Sequence, residues 1–526
     1  MKEKFVSTRT LTHKLAITSN SSINSNSNSN TSSNTMRTIL YYVLFAISFV
    51  ALFRDPYGDT QGSGRRYLQA NGGTKEAIVK DYNQVKIEQA APLLNSFVPR
   101  LLVFNGDSFT IYNLKHNSTI YHDVHDFNNR PVMIIPMIVH SLYTNFPERF
   151  QKGQPPFQLL FTEADSLRTD CVNDNVHCPT KDWAPILVFG SLMKDAAQTF
   201  PTAKLMPVPP FVGCLYKYKI QGEACEWATK ADNSHLPVKD LKPTIVWRGS
   251  DYAFLFQYAK FRFKDIQDVV GDNVRNLTKQ DVAVRIFQNW NEMRPRWRGT
   301  ALTLQAEIEH KHKDEPIWLD SKFAGDMPGL TEETLEHFNK IGVHVKTSEM
   351  RPELMSTYRY QIDYGGGGGT TWSGTLEKLS MPGALFHHET PTMDWFHKEM
   401  MPWKHYLPFN WDLTDLRAKY DWAEANLDKI SEISREATKL SNYLLSTEYM
   451  EKTYQDLFVD HLAKVVKAYR NQLPTWEDSM YRYKKMGFEL QVLATCDDVH
   501  CTVRAERGES DTSSRMLRHV PKPSAK

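Results

Sequence analysis

The chain has 526 residues and an almost balanced charge, with 63 Lys and Arg against 61 Asp and Glu. That balance excludes a nucleic-acid binder that relies on overall basicity. With 41% hydrophobic and 24% charged residues, most of the chain can bury a core, and its length suits about two to four domains.

The amino-terminal end is first polar and then abruptly apolar. Residues 1–36 contain an Asn/Ser run at 20–34 that cannot bury a core, which predicts a disordered tail. Residues 37–54 hold an uncharged apolar run at 39–53, which predicts a transmembrane signal anchor shorter than the usual ~20 residues. Because basic residues precede it, we expect a single-pass type II protein of the endoplasmic reticulum or Golgi membrane, with its bulk luminal. A cleaved signal peptide is the alternative.

Two sets of residues fit a luminal compartment. Asn117 and Asn276 begin N-glycosylation sequons, which predicts a glycoprotein. The six cysteines form close pairs that would close small disulfide loops under oxidising conditions, although the sequence does not show which cysteines are joined. The close pairs are Cys171/Cys178, Cys214/Cys225 and Cys496/Cys501. None has CxxC spacing, which argues against a zinc ribbon or a thioredoxin-like site.

The first half of the chain carries the signals of a parallel sheet. Residues 55–95 contain Gly and Pro with little apolar periodicity, which predicts a stem. Continuous apolar runs at 132–139, 157–162 and 186–189 are typical of strands buried on both faces. They predict an amino-terminal α/β domain over residues 96–240.

A second set of elements begins near residue 241. Thr331 is placed to cap a helix that ends at Gly342, and residues 413–469 have helical spacing. One face of that tract carries Leu427, Ile430, Ile433, Ala437 and Leu440. Because strand and helix signals alternate in both halves, we expect an α/β fold with two domains facing a cleft. The second domain would span 241–475 with a long carboxyl-terminal helical segment, followed by a partly disordered extension at 476–526.

The strongest local signal is a glycine loop between a strand and a helix. A predicted strand at 358–363 is followed by five glycines at 365–369, a helix that reaches Leu379, and a strand at 384–386. This order can bring backbone N–H groups and a helix N-terminus onto a phosphate, and glycine permits the close approach. A flexible loop is the competing interpretation of a glycine run alone.

Arginines near the ends of predicted elements are candidates for phosphate binding. Arg248 and Ser250 follow a buried strand, where a guanidinium and a hydroxyl could contact a phosphate. The basic group at 294–298 could add charge. The competing interpretations are an arginine that caps the strand end and a solvated surface patch.

Carboxylates also follow a predicted strand, at Glu163 and Asp165. Three interpretations remain open: Asp165 is a general base, both carboxylates hold a divalent cation, or one of them caps a helix. The sequence contains no HExxH, GxSxG, Walker A or kinase signature, which disfavours metalloprotease, serine-hydrolase and NTPase activities.

Over residues 244–470 the chain resembles the capsule-associated-type glycosyltransferases, a family that includes protein O-glucosyltransferases and fungal capsule xylosyltransferases. The blocks that carry the resemblance, in order, are Tyr358-Arg359-Tyr360-Gln361-Ile362-Asp363, the glycines, Trp372-Ser373-Gly374, Phe386-His387-His388-Glu389-Thr390-Pro391, Trp395-Phe396, Pro402-Trp403-Lys404-His405-Tyr406-Leu407-Pro408 and Asp412-Leu413-Thr414-Asp415-Leu416.

The resemblance implies a GT-B-type fold with two Rossmann-like domains facing a cleft, and inverting transfer without an obligatory metal. It implies that Arg296 is the donor-binding arginine, with Arg298 as the next candidate, and that Asp165 is the catalytic aspartate. The positions that it assigns to the UDP-sugar are Ser250, Gly369, Thr370, Thr371, Trp372, Ser373 and Gly374. The chain departs from the family at Thr375, where the family has a basic residue beside the diphosphate.

The sequence therefore predicts an enzyme that moves glucose or xylose from UDP-glucose or UDP-xylose to a hydroxyl of a protein or glycan. Arg248 and the glycine loop would stabilise the departing diphosphate together with Arg296. Its partners would be a nucleotide sugar, the acceptor and the membrane, but no nucleic acid. The alternatives are a metal-dependent transferase of the other sugar-transfer fold and a non-catalytic luminal sugar-binding protein.

Overall fold

The computed structural model describes residues 100–116, 130–163, 165, 186–194, 203–223, 236–255, 263–271, 273–310, 316–471, 488–507 and 511–518. All of them belong to one unit, residues 73–526. The predicted tail, anchor and stem lie outside the described residues, as do Asn117 and Cys171, Cys178 and Cys225. Within the described ranges, no helix has the length and apolar character needed to cross a membrane.

Strands and helices alternate along most of the described chain. The strands are β1 (Arg100–Phe104), β2 (Phe109–His116), β3 (Phe157–Thr162), β4 (Ile186–Val188), β5 (Leu192–Met193), β6 (Ala203–Leu205), β7 (Lys242–Gly249), β8 (Leu319–Phe323), β9 (Tyr358–Asp363), β10 (Ala384–Glu389), β11 (Thr392–Met393), β12 (Leu407–Asn410), β13 (Phe488–Cys496), β14 (His500–Arg507) and β15 (Asp511–Arg518). The α-helices are α1 (Arg130–Asn145), α2 (Pro209–Tyr216), α3 (Ile266–Val270), α4 (Lys279–Gln288), α5 (Pro295–Glu309), α6 (Glu332–Ile341), α7 (Pro352–Met355), α8 (Ser373–Ser380), α9 (Leu416–Ala425), α10 (Leu427–Leu444), α11 (Thr447–Thr453) and α12 (Asp460–Asn471). The predicted α/β class is confirmed.

The first sheet is mixed, with the order β15-β14-β13-β2-β1-β3-β4-β6 among the described residues. Strand β1 pairs antiparallel with both β2 and β3, whereas β3, β4 and β6 are parallel. The sheet thus differs from the parallel Rossmann-like sheet expected for residues 96–240. It also extends past the predicted boundary at 476, because β13 pairs with β2 and is followed by β14 and β15.

The apolar run at 132–139 is not a strand, as its pattern indicated, but the centre of helix α1. The helix is buried from Ile134 through Leu142 without a break. A helix covered on every side needs no polar face, so its sequence resembles that of a strand buried on both faces. The predicted strands at 157–162 and 186–189 are confirmed as β3 and β4.

The second sheet is parallel and has the order β12-β10-β9-β7-β8. From β7 the chain moves outward to β8, and from β9 onward it moves in the opposite direction to β10 and β12. The carboxyl ends of β7 and β9 therefore flank a topological switch point, where open α/β sheets form their ligand-binding crevice.

Helix ends and faces in the second half follow their sequence signals. Thr331 caps α6 by accepting a hydrogen bond from the Thr334 N–H, and Gly342 ends the helix in the left-handed conformation, as predicted. Ile430, Ile433, Ala437 and Leu440 are buried on one face of α10, also as predicted.

The helices after β12 connect the two sheets. The carboxyl-terminal half of α10, together with α11 and α12, packs into the core of the first sheet. Ile430 and Ile433, in the amino-terminal half of α10, pack into the core of the second sheet. Strands β5 and β11 add a two-stranded antiparallel ribbon between the two halves of the chain. The predicted pair Cys496–Cys501 is a disulfide across β13 and β14.

At Gly299 in α5, close packing opposes the helix propensity that an alanine would add. Alanine is a better helix former than glycine by about 1 kcal/mol, but a Cβ at this position would lie 2.5 Å from the Tyr364 hydroxyl oxygen. Overpacking of this kind usually costs about 1–3 kcal/mol. We therefore expect Gly299→Ala to lower the free energy of unfolding, measured by urea denaturation. Gln305→Ala on the same helix is the control, and a stabilised Gly299→Ala variant would contradict this packing.

Candidate active site

Arg296 occupies the switch point of the parallel sheet. Helix α5 begins at Pro295, which suits the first helical position because proline has no N–H to satisfy. From the next position the Arg296 guanidinium donates to the Ser250 carbonyl oxygen at 2.5 Å and to the Tyr364 carbonyl oxygen at 3.0 Å. It therefore joins the chain just after β7 to the chain just after β9. Burial lowers the pKa of Arg296 to about 10, so it stays charged at neutral pH.

The glycine loop needs glycine because it packs closely on every side. A Cβ at Gly365 would overlap the His388 ring, and one at Gly368 would overlap the Ser191 hydroxyl and the Asp165 backbone. Gly369 has φ of +81°, which side chains other than that of glycine rarely permit. All five glycines are buried, so this loop is a packed segment rather than a flexible connection.

The Ser191 hydroxyl holds the two halves of the site together. Ser191 follows β4 and is fully buried, and its Oγ lies 2.8 Å from the Asp165 carbonyl oxygen and 2.6 Å from the Gly368 carbonyl oxygen. Its N–H also donates to the Asp165 carbonyl oxygen at 2.8 Å. The carboxyl ends of the parallel strands in the first sheet thus meet the loop that follows β9.

Asp165 is paired with an arginine that also contacts the end of the glycine loop. Arg130, the first residue of α1, donates to Asp165 Oδ1 at 3.1 Å and to the Glu163 carbonyl oxygen at 2.6 Å. Its guanidinium lies 4.4 Å from the centre of the Trp372 ring. Trp372 precedes α8 and has φ of +52°, an unfavourable backbone conformation that clusters at functional sites.

Two buried aspartates form hydrogen bonds with residues of the glycine loop and of helix α8. Asp394 accepts a hydrogen bond from the Thr370 hydroxyl at 3.2 Å, and burial raises its pKa to about 8. Asp363 contacts Lys378 Nζ at 2.7 Å and the Thr375 hydroxyl at 2.8 Å. Burial alone would raise the pKa of Asp363, but Lys378 and His387 outweigh burial and hold this pKa below its usual value.

The remaining candidates lie around α8 and β7. Thr371 contacts Thr375 at 2.5 Å between the two hydroxyl oxygens. Ser373 and Gly374 form the first turn of α8 and are half-buried. The Ser250 hydroxyl accepts a hydrogen bond from the Asp326 N–H at 3.0 Å.

Arg248 and Arg298 are engaged elsewhere. Arg248 donates to Asp320 Oδ2 and to the Asp320 carbonyl oxygen, both at 2.8 Å, between β7 and β8. This geometry fits the strand-capping interpretation, and the structure does not bring Arg248 to the glycine loop. Arg298 lies between the rings of Trp290 and Trp411, at 5.5 and 5.2 Å from their centres.

Glu163 and Asp165 point to different partners. Glu163 is 1% exposed and forms an ion pair with Arg100 at 2.7 Å, while Asp165 pairs with Arg130. The two carboxylates therefore do not share a ligand position in this structure. In the described ranges, no group of three or more His, Cys, Asp or Glu side chains is placed to hold a metal ion.

Sequence reasoning missed Arg130, Ser191 and Tyr252. Ser191 comes just after β4, so the rule that ligands bind beyond strand ends could have indicated it. Arg130 begins a helix that was read as a strand. Tyr252 is 52% exposed, and the Arg296 guanidinium lies 5.5 Å from its ring centre. An aromatic ring with an exposed face beside this arginine can stack on a planar ligand.

The comparison with known proteins agrees with the motifs in this half of the chain. Residues 330–475 match glycosyl transferase family 90. This segment includes the glycine loop, Trp372 and Asp394, and the resemblance inferred from the sequence is confirmed there.

Matches to individual relatives are short. Protein O-glucosyltransferase 2 of Danio rerio is 27% identical over 107 residues, which is 19% of this chain and 20% of that protein. Protein O-glucosyltransferase 3 of Rattus norvegicus is 32% identical over 89 residues, 17% of each chain. Uncharacterized protein 179R of Invertebrate iridescent virus 6 is 31% identical over 140 residues, 25% of this chain and 11% of that protein. The matches thus span between 11% and 20% of these relatives' lengths.

Asp394 gives the protein a specific dependence on pH. Its carboxyl group is protonated in the folded protein up to about pH 8 but titrates near 3.8 when unfolded. Between these values the folded state binds the extra proton, so stability declines as the pH rises, by at most about 1.4 kcal/mol per pH unit. Asp394→Asn keeps the shape and removes this proton. Urea denaturation from pH 5 to 8 should show the variant gaining stability relative to wild type, and a constant difference would contradict the assignment.

Proposed function

We propose that this chain is an inverting glycosyltransferase that moves glucose or xylose from a UDP-sugar to a hydroxyl of a protein or glycan. The observation that carries the proposal is the bridge through Ser191, which brings Asp165 against the glycine loop that follows β9. A carboxylate, an arginine and a buried glycine loop then surround one edge of a parallel sheet. Support also comes from the match to family 90 and from relatives named as protein O-glucosyltransferases.

A GT-B-type arrangement is part of the proposal. The carboxyl ends of β3 and β4 in the first sheet meet the carboxyl ends of β9 and β10 in the second, which is consistent with a donor and an acceptor that approach each other between two sheets. In the first sheet, the antiparallel strands β1, β2 and β13–β15 lie on one side of β3, and the parallel strands β4 and β6 lie on the other. We also propose that the catalytic part is luminal, since the sequon residue Asn276 is exposed and the chain contains disulfides.

The proposed reaction is a single displacement. The acceptor hydroxyl oxygen forms a bond to the anomeric carbon, while the bond from that carbon to the diphosphate breaks and UDP leaves with the electron pair. Asp165 takes the hydroxyl proton as the new bond forms, because a hydroxyl is a poor nucleophile while it keeps its proton. Arg296 and the positive end of the α8 helix dipole stabilise the negative charge that grows on UDP. Tyr252 offers a ring for stacking on uracil or sugar.

Asp165→Asn should separate chemistry from binding. The amide keeps the side-chain shape but cannot accept the proton, and loss of a general base typically slows the reaction ~10²–10⁴-fold. We expect transfer to fall by that factor while UDP binding, measured by calorimetry, is not weakened. Asp326→Asn, which changes an exposed carboxylate near Ser250, is the control. Normal transfer by Asp165→Asn would remove this residue from the mechanism.

Arg296 and Arg298 form a matched pair for testing donor binding. Both lie in the first turns of α5, both are buried, and burial lowers both pKa values to about 10. Arg296 faces the glycine loop, where a Cβ on Gly366 would lie 3.3 Å from its Nη2, whereas Arg298 faces Trp290 and Trp411. Loss of a charged hydrogen bond to a ligand costs about 1.5–3 kcal/mol.

We therefore expect Arg296→Lys to weaken UDP binding about ten- to hundred-fold in calorimetry. Arg298→Lys should leave the affinity within about twofold of wild type, because its guanidinium does not face the loop. Equal effects of the two substitutions would argue that Arg296 acts only by supporting the fold.

We propose that no metal ion is obligatory, since arginine and helix N–H groups can supply the positive charge that a cation would provide. EDTA treatment followed by gel filtration should leave transfer unchanged, and added Mn²⁺ should not raise it. Activity that disappears with EDTA and returns with Mn²⁺ would favour the metal-dependent alternative. Binding of UDP without transfer or hydrolysis of any UDP-sugar would favour a non-catalytic sugar-binding protein.

A further inference from the structure

Arg130 forms an ion pair with Asp165, the proposed general base. A guanidinium beside a carboxylate stabilises the charged carboxylate and opposes proton uptake. In the structure Arg130 Nη2 lies 3.1 Å from Asp165 Oδ1. A general base must contact the hydroxyl whose proton it accepts, whereas Asp165 Oδ1 contacts a guanidinium in this arrangement.

The surroundings of Arg130 give its guanidinium a second anion to bind. The Arg130 guanidinium lies 4.4 Å from the centre of the Trp372 ring, and Trp372 is the residue immediately before α8. A helix N-terminus after a glycine loop favours phosphate groups. Arg130 therefore contacts the Asp165 carboxylate and also the side chain of the residue that precedes the helix proposed to bind the diphosphate.

The Lys378–Asp363 ion pair near the loop is almost completely buried, with side-chain exposures of 10% and 0%. The Arg130–Asp165 pair is more accessible, with side-chain exposures of 22% and 33%. An ion pair open to solvent is weaker than a buried one and can be exchanged for a stronger anion at lower cost.

We propose that Arg130 serves two anions in turn: it neutralises Asp165 until a nucleotide sugar binds, and then moves its charge to the diphosphate. Asp165 is thereby released to act as the base only after the donor is in place. This inference rests on the proposed function. It gives the proposed site a second arginine for the diphosphate, in addition to Arg296. It also makes donor binding a condition for activating the acceptor hydroxyl.

The proposal requires a competition between Asp165 and the diphosphate, and a double-mutant cycle measures it. UDP affinity is determined by calorimetry for wild type, Asp165→Asn, Arg130→Met and the double variant. Removing the Asp165 charge should free Arg130 for UDP and tighten binding ~5–150-fold, the usual range of coupling between sites. In the Arg130→Met background the same Asp165→Asn change should alter the affinity by less than about twofold.

Controls separate this coupling from other effects. Asp326→Asn removes an exposed carboxylate near Ser250 and should change UDP affinity by less than about twofold, which excludes a general effect of net charge. If Arg130→Met does not fold, as judged by circular dichroism, the cycle is repeated with Arg130→Lys. Lysine keeps the positive charge but lacks the planar guanidinium that can form two parallel hydrogen bonds and stack on the Trp372 ring. The coupling between Asp165 and UDP should therefore become smaller without vanishing.

Asp165→Asn that fails to tighten UDP binding would overturn the proposal, and so would equal tightening in the presence and absence of Arg130. A wild-type protein that binds neither UDP nor a UDP-sugar would overturn the proposed function itself. The two failures are therefore distinct.

Discussion

The close approach of the glycine loop to the first half of the chain is the constraint on which the site depends. At Gly365, Gly368 and Gly369 a single added carbon would overlap a neighbouring residue. The Ser191 hydroxyl can then bridge two carbonyl oxygens that belong to different halves. Without this contact, the distance between the carboxylate after β3 and the loop after β9 would not be fixed. A base and a bound donor could then not be held at the separation that a reaction needs.

The charges around the loop show how a site can be both buried and ionic. Each buried carboxylate that we described has a specific environment: Asp363 is stabilised by Lys378 and His387, and Asp394 remains protonated because burial disfavours its charge. Buried charges persist in proteins when they are paired and hydrogen-bonded, and otherwise neutralise by taking up a proton. The two aspartates illustrate these two outcomes in the surroundings of one loop.

The sequence predicted local structure better than the contacts that assemble the site. Strands β3, β4 and β9 and the ends of α6 follow from short patterns, because propensity and capping act within a few residues. The run at 132–139 was misread because a fully buried helix and a buried strand have the same composition. The roles of Arg130 and Ser191 depend on partners that are 35 and 177 residues away in the chain, which no local pattern encodes. Arg296 and Asp165 were reached mainly through the resemblance.

The pairing of β13 with β2 has a consequence for the order in which this protein can fold. Residues 242–410 contain all strands of the parallel sheet, so that sheet can form while the carboxyl-terminal end is still being synthesised. The edge of β2, by contrast, has no neighbour until residues 488–496 leave the ribosome. A nascent chain therefore carries an exposed strand edge in its first half for most of its synthesis, and exposed edges are where chains join one another. Loss of residues 488–496 would therefore leave the edge of β2 open to other chains, although these residues form no part of the candidate site.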